Sequence, residues 1–230
     1  SLDDTGLTQV LLQFTPDNGG AAVQFFIEAQ DGRFARTLVF GPGQASTYRL
    51  DVFAGVAGEL LPFLGSFSPF DIAPADGPIN IPADYFPGIT LDAPLPTTLS
   101  TGAALGLNGT VTNPDHTQLM FRLISDRADT VRFLVNATQG RFGRQAVFDH
   151  NQDGIYTLEI LAGPRNQGLS FVERFTPITI ERGTGNIVLP VRFFDGTTLD
   201  RPLPTALRFG QTYAFEGTVL DNTVHVQLEI

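Results

Sequence analysis

The sequence predicts an all-β chain built as two tandem, internally duplicated β-sandwich domains of about 108 residues each. Three observations predict it. Apolar and polar residues alternate through nearly every segment, as in Tyr48-Arg49-Leu50-Asp51-Val52 and Tyr156-Thr157-Leu158-Glu159-Ile160. Side chains of a strand point alternately to opposite faces, so this pattern buries one face. The 24 Gly and 16 Pro recur at short intervals, mark turns and end any incipient helix. The third observation is a repeat held in one register along the whole chain.

The repeat is visible where Val23-Gln24-Phe25-Phe26-Ile27 and Val131-Arg132-Phe133-Leu134-Val135 begin matching runs. Gly32, Arg33, Phe34, Arg36, Val39 and Phe40 return as Gly140, Arg141, Phe142, Arg144, Val147 and Phe148, an offset of 108. The same offset carries Tyr48 to Tyr156, Gly55 to Gly163 and Pro69 to Pro177. It also carries Leu91-Asp92-Ala93-Pro94-Leu95-Pro96 to Leu199-Asp200-Arg201-Pro202-Leu203-Pro204. Shared composition would not keep this register, so the matches indicate duplication. One strand-like segment occurs three times, around Gln9, Gln118 and Gln227, spaced by 109 residues.

Phe, Val, Ile, Thr and Tyr fill the alternating runs and suit a pleated, half-buried surface. Seven or eight short strands in about 108 residues favour a β-sandwich, with a jelly roll as the alternative. The pattern resembles the tandem immunoglobulin-like and fibronectin-type-III-like modules of prokaryotic surface proteins. That resemblance implies non-catalytic modules outside the cell. The chain lacks the paired Cys and core Trp of antibody domains, so Phe is expected to fill the core. The turn at Thr112-Asn113-Pro114-Asp115 places the domain boundary, giving residues 1–113 and 114–230.

Composition excludes several chemistries. With no Cys and no Lys among 230 residues, there is no disulfide, thiol nucleophile, Cys-held metal, lysine Schiff base or Lys–Asn cross-link. No apolar run reaches the roughly 18–20 residues that span a bilayer. A net charge of −10 disfavours nucleic acid as a partner. No G-x-S-x-G elbow or Ser–His arrangement marks a nucleophile, and no enzymatic activity is expected. Residues 1–113 hold 3 Arg against 11 acidic residues, and residues 114–230 hold 11 Arg against 13. Either the copies have drifted, or Arg of the second body meets carboxylates of the first, in bidentate pairs.

Asp149, Asn151 and Asp153, followed by Gly154, have the D-x-N-x-D-G spacing of a calcium loop, so Ca²⁺ is the one cofactor the sequence suggests. The twelfth position is Ile160 rather than Glu, and the same residues also read as an ordinary hairpin turn. His116 and His225 occupy one repeat position, which keeps them apart and suits structural roles. The Arg–Phe pairs at Arg33-Phe34, Arg132-Phe133 and Arg192-Phe193 place Phe inward and Arg outward in a strand.

Two sandwiches need two copies of the Gln-centred strand, yet the chain carries three. With residues 1–14 as the surplus copy, Leu7, Gln9, Leu11 and Phe14 become the contacts of a strand donated to a neighbouring molecule. A head-to-tail contact of that kind grows into an open filament. The leading expectation is therefore a non-enzymatic, extracellular or cell-surface structural subunit of a prokaryote. Its partner is itself, in a filament, sheath or surface layer. The alternatives are a monomeric adhesion or carbohydrate-binding module pair with a glycan or surface partner, and accessory domains of a secreted hydrolase. The start at Ser1 shows no basic and apolar leader, so a signal peptide, if there was one, is expected to have been removed.

Overall fold

A computed structural model describes residues 6–31, 33–41, 43–127, 129–194, 196–206 and 214–219. The described residues are all-β, with a single 3-10 turn, and no helix among them is long and apolar enough to cross a membrane. The chain forms two compact units, residues 1–79 and 80–230.

The first unit is one antiparallel sheet. Its strands are β1 (Gln9–Pro16), β2 (Val23–Glu28), β3 (Ser46–Gly55) and β4 (Phe63–Ile72), in the order β2-β1-β3-β4. Alternation places Val10, Leu12 and Phe14 of β1 on one face. Val10 packs with Ile27 and Ala54, and Phe14 with Phe25 and Tyr48. Phe14 meets Phe40 and Phe70 edge-on, at 5.0 and 5.3 Å between ring centres, so Phe does fill this core. An Asx turn closes β1 onto β2, with the Gly20 amide donating to Asn18 Oδ1 at 3.0 Å.

The second unit opens with β5 (Asn80–Ile81), β6 (Ile89–Leu91), β7 (Leu95–Pro96), β8 (Thr98–Ser100) and β9 (Ala104–Val111). There follow β10 (Gln118–Ser125), β11 (Thr130–Thr138), β12 (Arg141–Val147), the 3-10 turn His150–Gln152, β13 (Gly154–Gly163) and β14 (Ser170–Glu181). The short strands β15 (Val188–Leu189), β16 (Thr197–Leu199), β17 (Leu203–Pro204) and β18 (Gly217–Val219) end the described chain. Eight strands run in the order β6-β9-β12-β11-β10-β13-β14-β8.

That sheet is doubled over. β11 and β12 share only two residue pairs, at a tight turn where Gln139 and Gly140 both have positive φ. β12 is held instead by seven pairs with β9. Strands β6-β9-β12 form one layer and β11-β10-β13-β14-β8 the other. Leu107 and Phe142 of the first layer face Phe121, Leu158 and Ile178 of the second, all buried, and the Phe121 and Phe142 rings lie 6.0 Å apart. This is a sandwich with a Phe-rich core. In β11, Phe133 is buried and Arg132 exposed, as the Arg–Phe alternation requires.

Strand spans and registers follow the sequence repeat. Gln9 pairs with Gly55 and Glu28 as Gln118 pairs with Gly163 and Asn136. The small pairings β5–β7 and β6–β9 recur as β15–β17 and β16–β18. The units nevertheless divide at residues 79/80 rather than 113/114. The physical reason is that β9, before the expected boundary, is the main partner of β12, after it. The first half of the second repeat is thus enclosed by the second half of the first.

Candidate functional site

The acidic loop is a compact turn entering β13. Asp149 precedes the 3-10 turn and is tied to it reciprocally. Its amide donates to Gln152 Oε1 at 2.7 Å, and the Gln152 amide donates to the Asp149 carbonyl at 2.9 Å. Asn151 is exposed. Asp153 accepts a hydrogen bond from Arg182 Nη2 at 3.1 Å, and this bond holds its carboxyl below the ordinary carboxylate range. Among the described residues no three acidic or imidazole groups come together. A cation at this loop would have to compete with Arg182 for Asp153. That pairing partner lies 29 residues downstream and has no local signal in sequence.

The histidines are dispersed. His150 Nδ1 lies 3.2 Å from Thr101 Oγ1, His116 sits before β10, and His225 lies outside the described residues. A cleft of about 630 Å³ runs beside β11 and β12, lined by Arg144, Asp149, His150 and Asn186 among others. Arg144 is committed to structure. It donates to the carbonyls of Phe193 and Leu134, each at 2.7 Å, and lies over the rings of Phe133 and Phe193. Arg36 makes the equivalent clasp in the first unit, over Phe25 and onto the Phe26 carbonyl.

Each repeat also carries a carboxylate at the same place in a strand, buried at Asp51 and half-buried at Glu159. Asp51 of β3 accepts from Arg49 and from Ser66 Oγ. Glu159 of β13 pairs across the sheet with Arg122 of β10, whose Nε is 2.8 Å away. Both are engaged in ion pairs, Asp51 within its own strand and Glu159 across the sheet, rather than presented to a substrate.

The expected N-terminal donor strand requires correction. Gln9 and Leu11 lie in β1, which is hydrogen-bonded on both sides, to β2 and to β3. Phe14 is buried, and Leu7 packs on the cluster of Val10, Ile27 and Ala54. A strand paired on both edges inside its own sheet has no backbone groups left for a neighbour. The third copy of this segment, around Gln227, lies outside the described residues.

Exposed aromatic side chains mark a different surface, found by comparing repeat positions. Phe67 is 60% exposed where Phe175 is 3%, and Phe34 is 40% where Phe142 is 4%. Near the other end, Phe194 is 42% exposed where Phe86 is 1%, and Phe215 is 36% where Leu107 is 2%. Phe63 and Phe171, by contrast, are exposed alike. The first four differences therefore come from what covers the positions, not from the repeat itself. Local sequence carries no such signal, because the residues are identical at three of these positions and large and apolar at the fourth.

No family model and no curated protein matches the chain. Among solved structures it is similar to the crystal structure of chicken CNTN1 FN1-FN3 domains, at 13% identity and a TM-score of 0.28. That alignment covers 77% of this chain and 56% of the other, so the chain matches little more than half of that structure's length. The fold described above rests on strand pairing alone.

Proposed function

We propose that this chain is a non-enzymatic structural subunit that associates head to tail with copies of itself outside a prokaryotic cell, as a filament, sheath or surface layer. One observation carries the reading. Aromatic positions near both ends are exposed while their repeat equivalents are core. Two different patches on one molecule, each the kind of surface that its counterpart buries, favour a heterologous contact that grows without closing. The acidic, Lys-free composition supports an exterior location, and the absence of Cys is compatible with one. The candidate polar groups are occupied by ion pairs and caps, which leaves assembly as the best use of this surface.

The test is negative-stain electron microscopy with light scattering on the purified chain, with and without calcium. Mass that rises with concentration, and linear particles in both conditions, are the expected result. Monodisperse single chains at every concentration would overturn the reading, and assembly only with calcium would move the site to Asp149–Asp153.

A further inference from the structure

β11 and β12 pair at only two positions, next to their connecting turn, and share no pairs beyond it. Between them lies the cleft of about 630 Å³, a size within the range of small-ligand sites, about 300–1,000 Å³. Its lining can be set residue by residue against the first repeat. Phe133, Arg144, Val147, Gln152 and Ile187 match Phe25, Arg36, Val39, Gln44 and Ile79, so the scaffold is common to both copies. Four lining positions of the second copy gain a charge, an imidazole or an amide. Arg132, Asp149, His150 and Asn186 stand where the first repeat has Gln24, Gly41, Pro42 and Pro78. They come from separate stretches of chain, and the fold gathers them on one cleft. We propose that this cleft binds an acidic saccharide, with a sugar carboxylate on Arg132 and sugar hydroxyls on His150, Asn186 and Asp149. The proposal goes beyond the assembly reading and does not depend on it.

Arg132 supplies the anion contact. Its side chain is exposed and makes no ion pair or hydrogen bond among the described residues. Its cross-strand neighbour is Arg122, and Glu159 is already paired with that residue. The backbone at Arg132 faces the same space. Arg144 Nη1 reaches the Leu134 carbonyl from β12, so the edge groups of Leu134 point toward β12. Those of Arg132, two residues earlier in the strand, point the same way. A carboxylate placed there meets a planar guanidinium and an amide donor. The opposite chemistry comes from the other walls. The Thr101 hydroxyl lies 3.2 Å from His150 Nδ1, which leaves Nε2 as the remaining ring nitrogen. Asn186 presents an amide that both donates and accepts, and Asp149 accepts, which suits hydroxyls that do both. Val131 and Ile187 add half-buried apolar surface for the C–H face of a sugar ring. Charge narrows the class. The lining holds two Arg against one Asp in a chain of net charge −10, so the cleft attracts one carboxylate. Asp149 repels a ligand with many, such as an acidic peptide. A sugar with a single carboxylate among hydroxyls satisfies every wall.

The test is isothermal titration calorimetry on the full chain with three probes. The first is a hyaluronan tetrasaccharide, in which glucuronate alternates with N-acetylglucosamine. The second is chitotetraose, which is neutral, and the third is triglutamate, a polyanion without sugar hydroxyls. The acidic tetrasaccharide should bind at least about 10-fold more tightly than either control, the effect of a hydrogen-bonded charge, and should weaken as salt is added. Arg132→Gln installs the first repeat's residue at an exposed position. It should abolish the preference for the acidic over the neutral sugar and leave the melting temperature unchanged. Asn186→Ala should weaken the acidic tetrasaccharide while keeping its salt dependence. Equal binding of the acidic and neutral sugars would overturn the carboxylate contact. Triglutamate bound as tightly as the tetrasaccharide would overturn the saccharide in favour of an acidic peptide. Undetectable binding of all three probes, or binding unaltered in both variants, would overturn the site. Calorimetry reads the cleft whether the chains are single or associated, so either outcome leaves the assembly reading to its own test.

Discussion

Phe67 and Phe175 hold the same position in strands of matching register, yet one is a surface residue and the other is core. The difference lies in the neighbours, since residues 80–111 close over the second-repeat strands and the first-repeat strands have no such cover among the described residues. A tandem repeat therefore does not dictate its own folding unit. The unit is set by which segment covers which sheet, and here that cover comes from the repeat before.

The sharpest way to break the comparison is to truncate both aromatics. Phe175→Ala should cost about 3–5 kcal/mol, as expected for an emptied Phe site. Phe67→Ala in dilute, single chains should stay within about 0.5 kcal/mol, as for a surface substitution. Chemical denaturation with probes in each unit checks this. Equal costs would mean that the first-repeat sheet is already covered.

A second substitution should make the covered half resemble the open one. A Cβ at Gly109 would lie 2.2 Å from the Thr90 carbonyl oxygen and 2.8 Å from Phe142 Cζ, so Gly109→Ala pushes β9 off both β6 and β12. A cost of about 1–3 kcal/mol is expected for such overpacking, with hydrogen exchange rising in residues 141–147. At Gly106 the nearest atom is the mobile Asn108 amide at 3.0 Å, so Gly106→Ala should be far milder.

The tyrosines test what the two halves share. Tyr48 and Tyr156 each donate a hydroxyl to the carbonyl four residues earlier, Gln44 and Gln152, at 2.7 and 3.0 Å. Phe at either position should cost about 1 kcal/mol. Burial raises the Tyr48 pKa above its ordinary value, and burial followed by the charges of Asp129 and Asp153 raises that of Tyr156. A raised folded-state value means that this stability is complete below about pH 10, the ordinary tyrosine value, and is lost as pH climbs through the folded one. Y156F should therefore flatten the alkaline limb of the stability curve, and a limb unchanged in Y156F would contradict the assignment.

The smallest effect is at the turn before β13. Arg182→Ala should let the Asp153 pKa rise to its ordinary range, read by carboxyl NMR titration. The pair's contribution is present above that ordinary value, about 3.9, and fades as pH falls through the depressed one. Because Arg182 occupies Asp153, calcium should leave the melting temperature of the unmodified chain unchanged. A rise with calcium would restore the loop as a metal site.

Strand alternation and the repeat made the all-β class, the Phe core and the inward-facing Phe133 legible in sequence. The boundary was not legible, because a periodic sequence can be cut at any phase and only packing selects one. Pro and Asn at residues 113–114 do mark a turn, but it lies between β9 and β10, inside one sheet. Whether residues 1–14 are a surplus strand was not legible either. β1 reads the same whether it is donated or native, and only its pairing on both edges decides. The Asp153–Arg182 pair and the Arg144 clasp join residues distant in sequence, which no local pattern encodes.

The most direct test of head-to-tail association mixes two variants, each disabled at one of the two aromatic patches. F67D disables the patch at Phe67 and keeps the one at Phe194, while F194D does the reverse. Each alone should associate about 100-fold more weakly than the unmodified chain, the effect of losing one buried Phe. Mixed in equal amounts, they can form only one junction, so light scattering should find particles of two chains and no larger. If the unmodified chain assembles while either variant alone assembles equally well, or the mixture stays as single chains, the two surfaces are not halves of one contact.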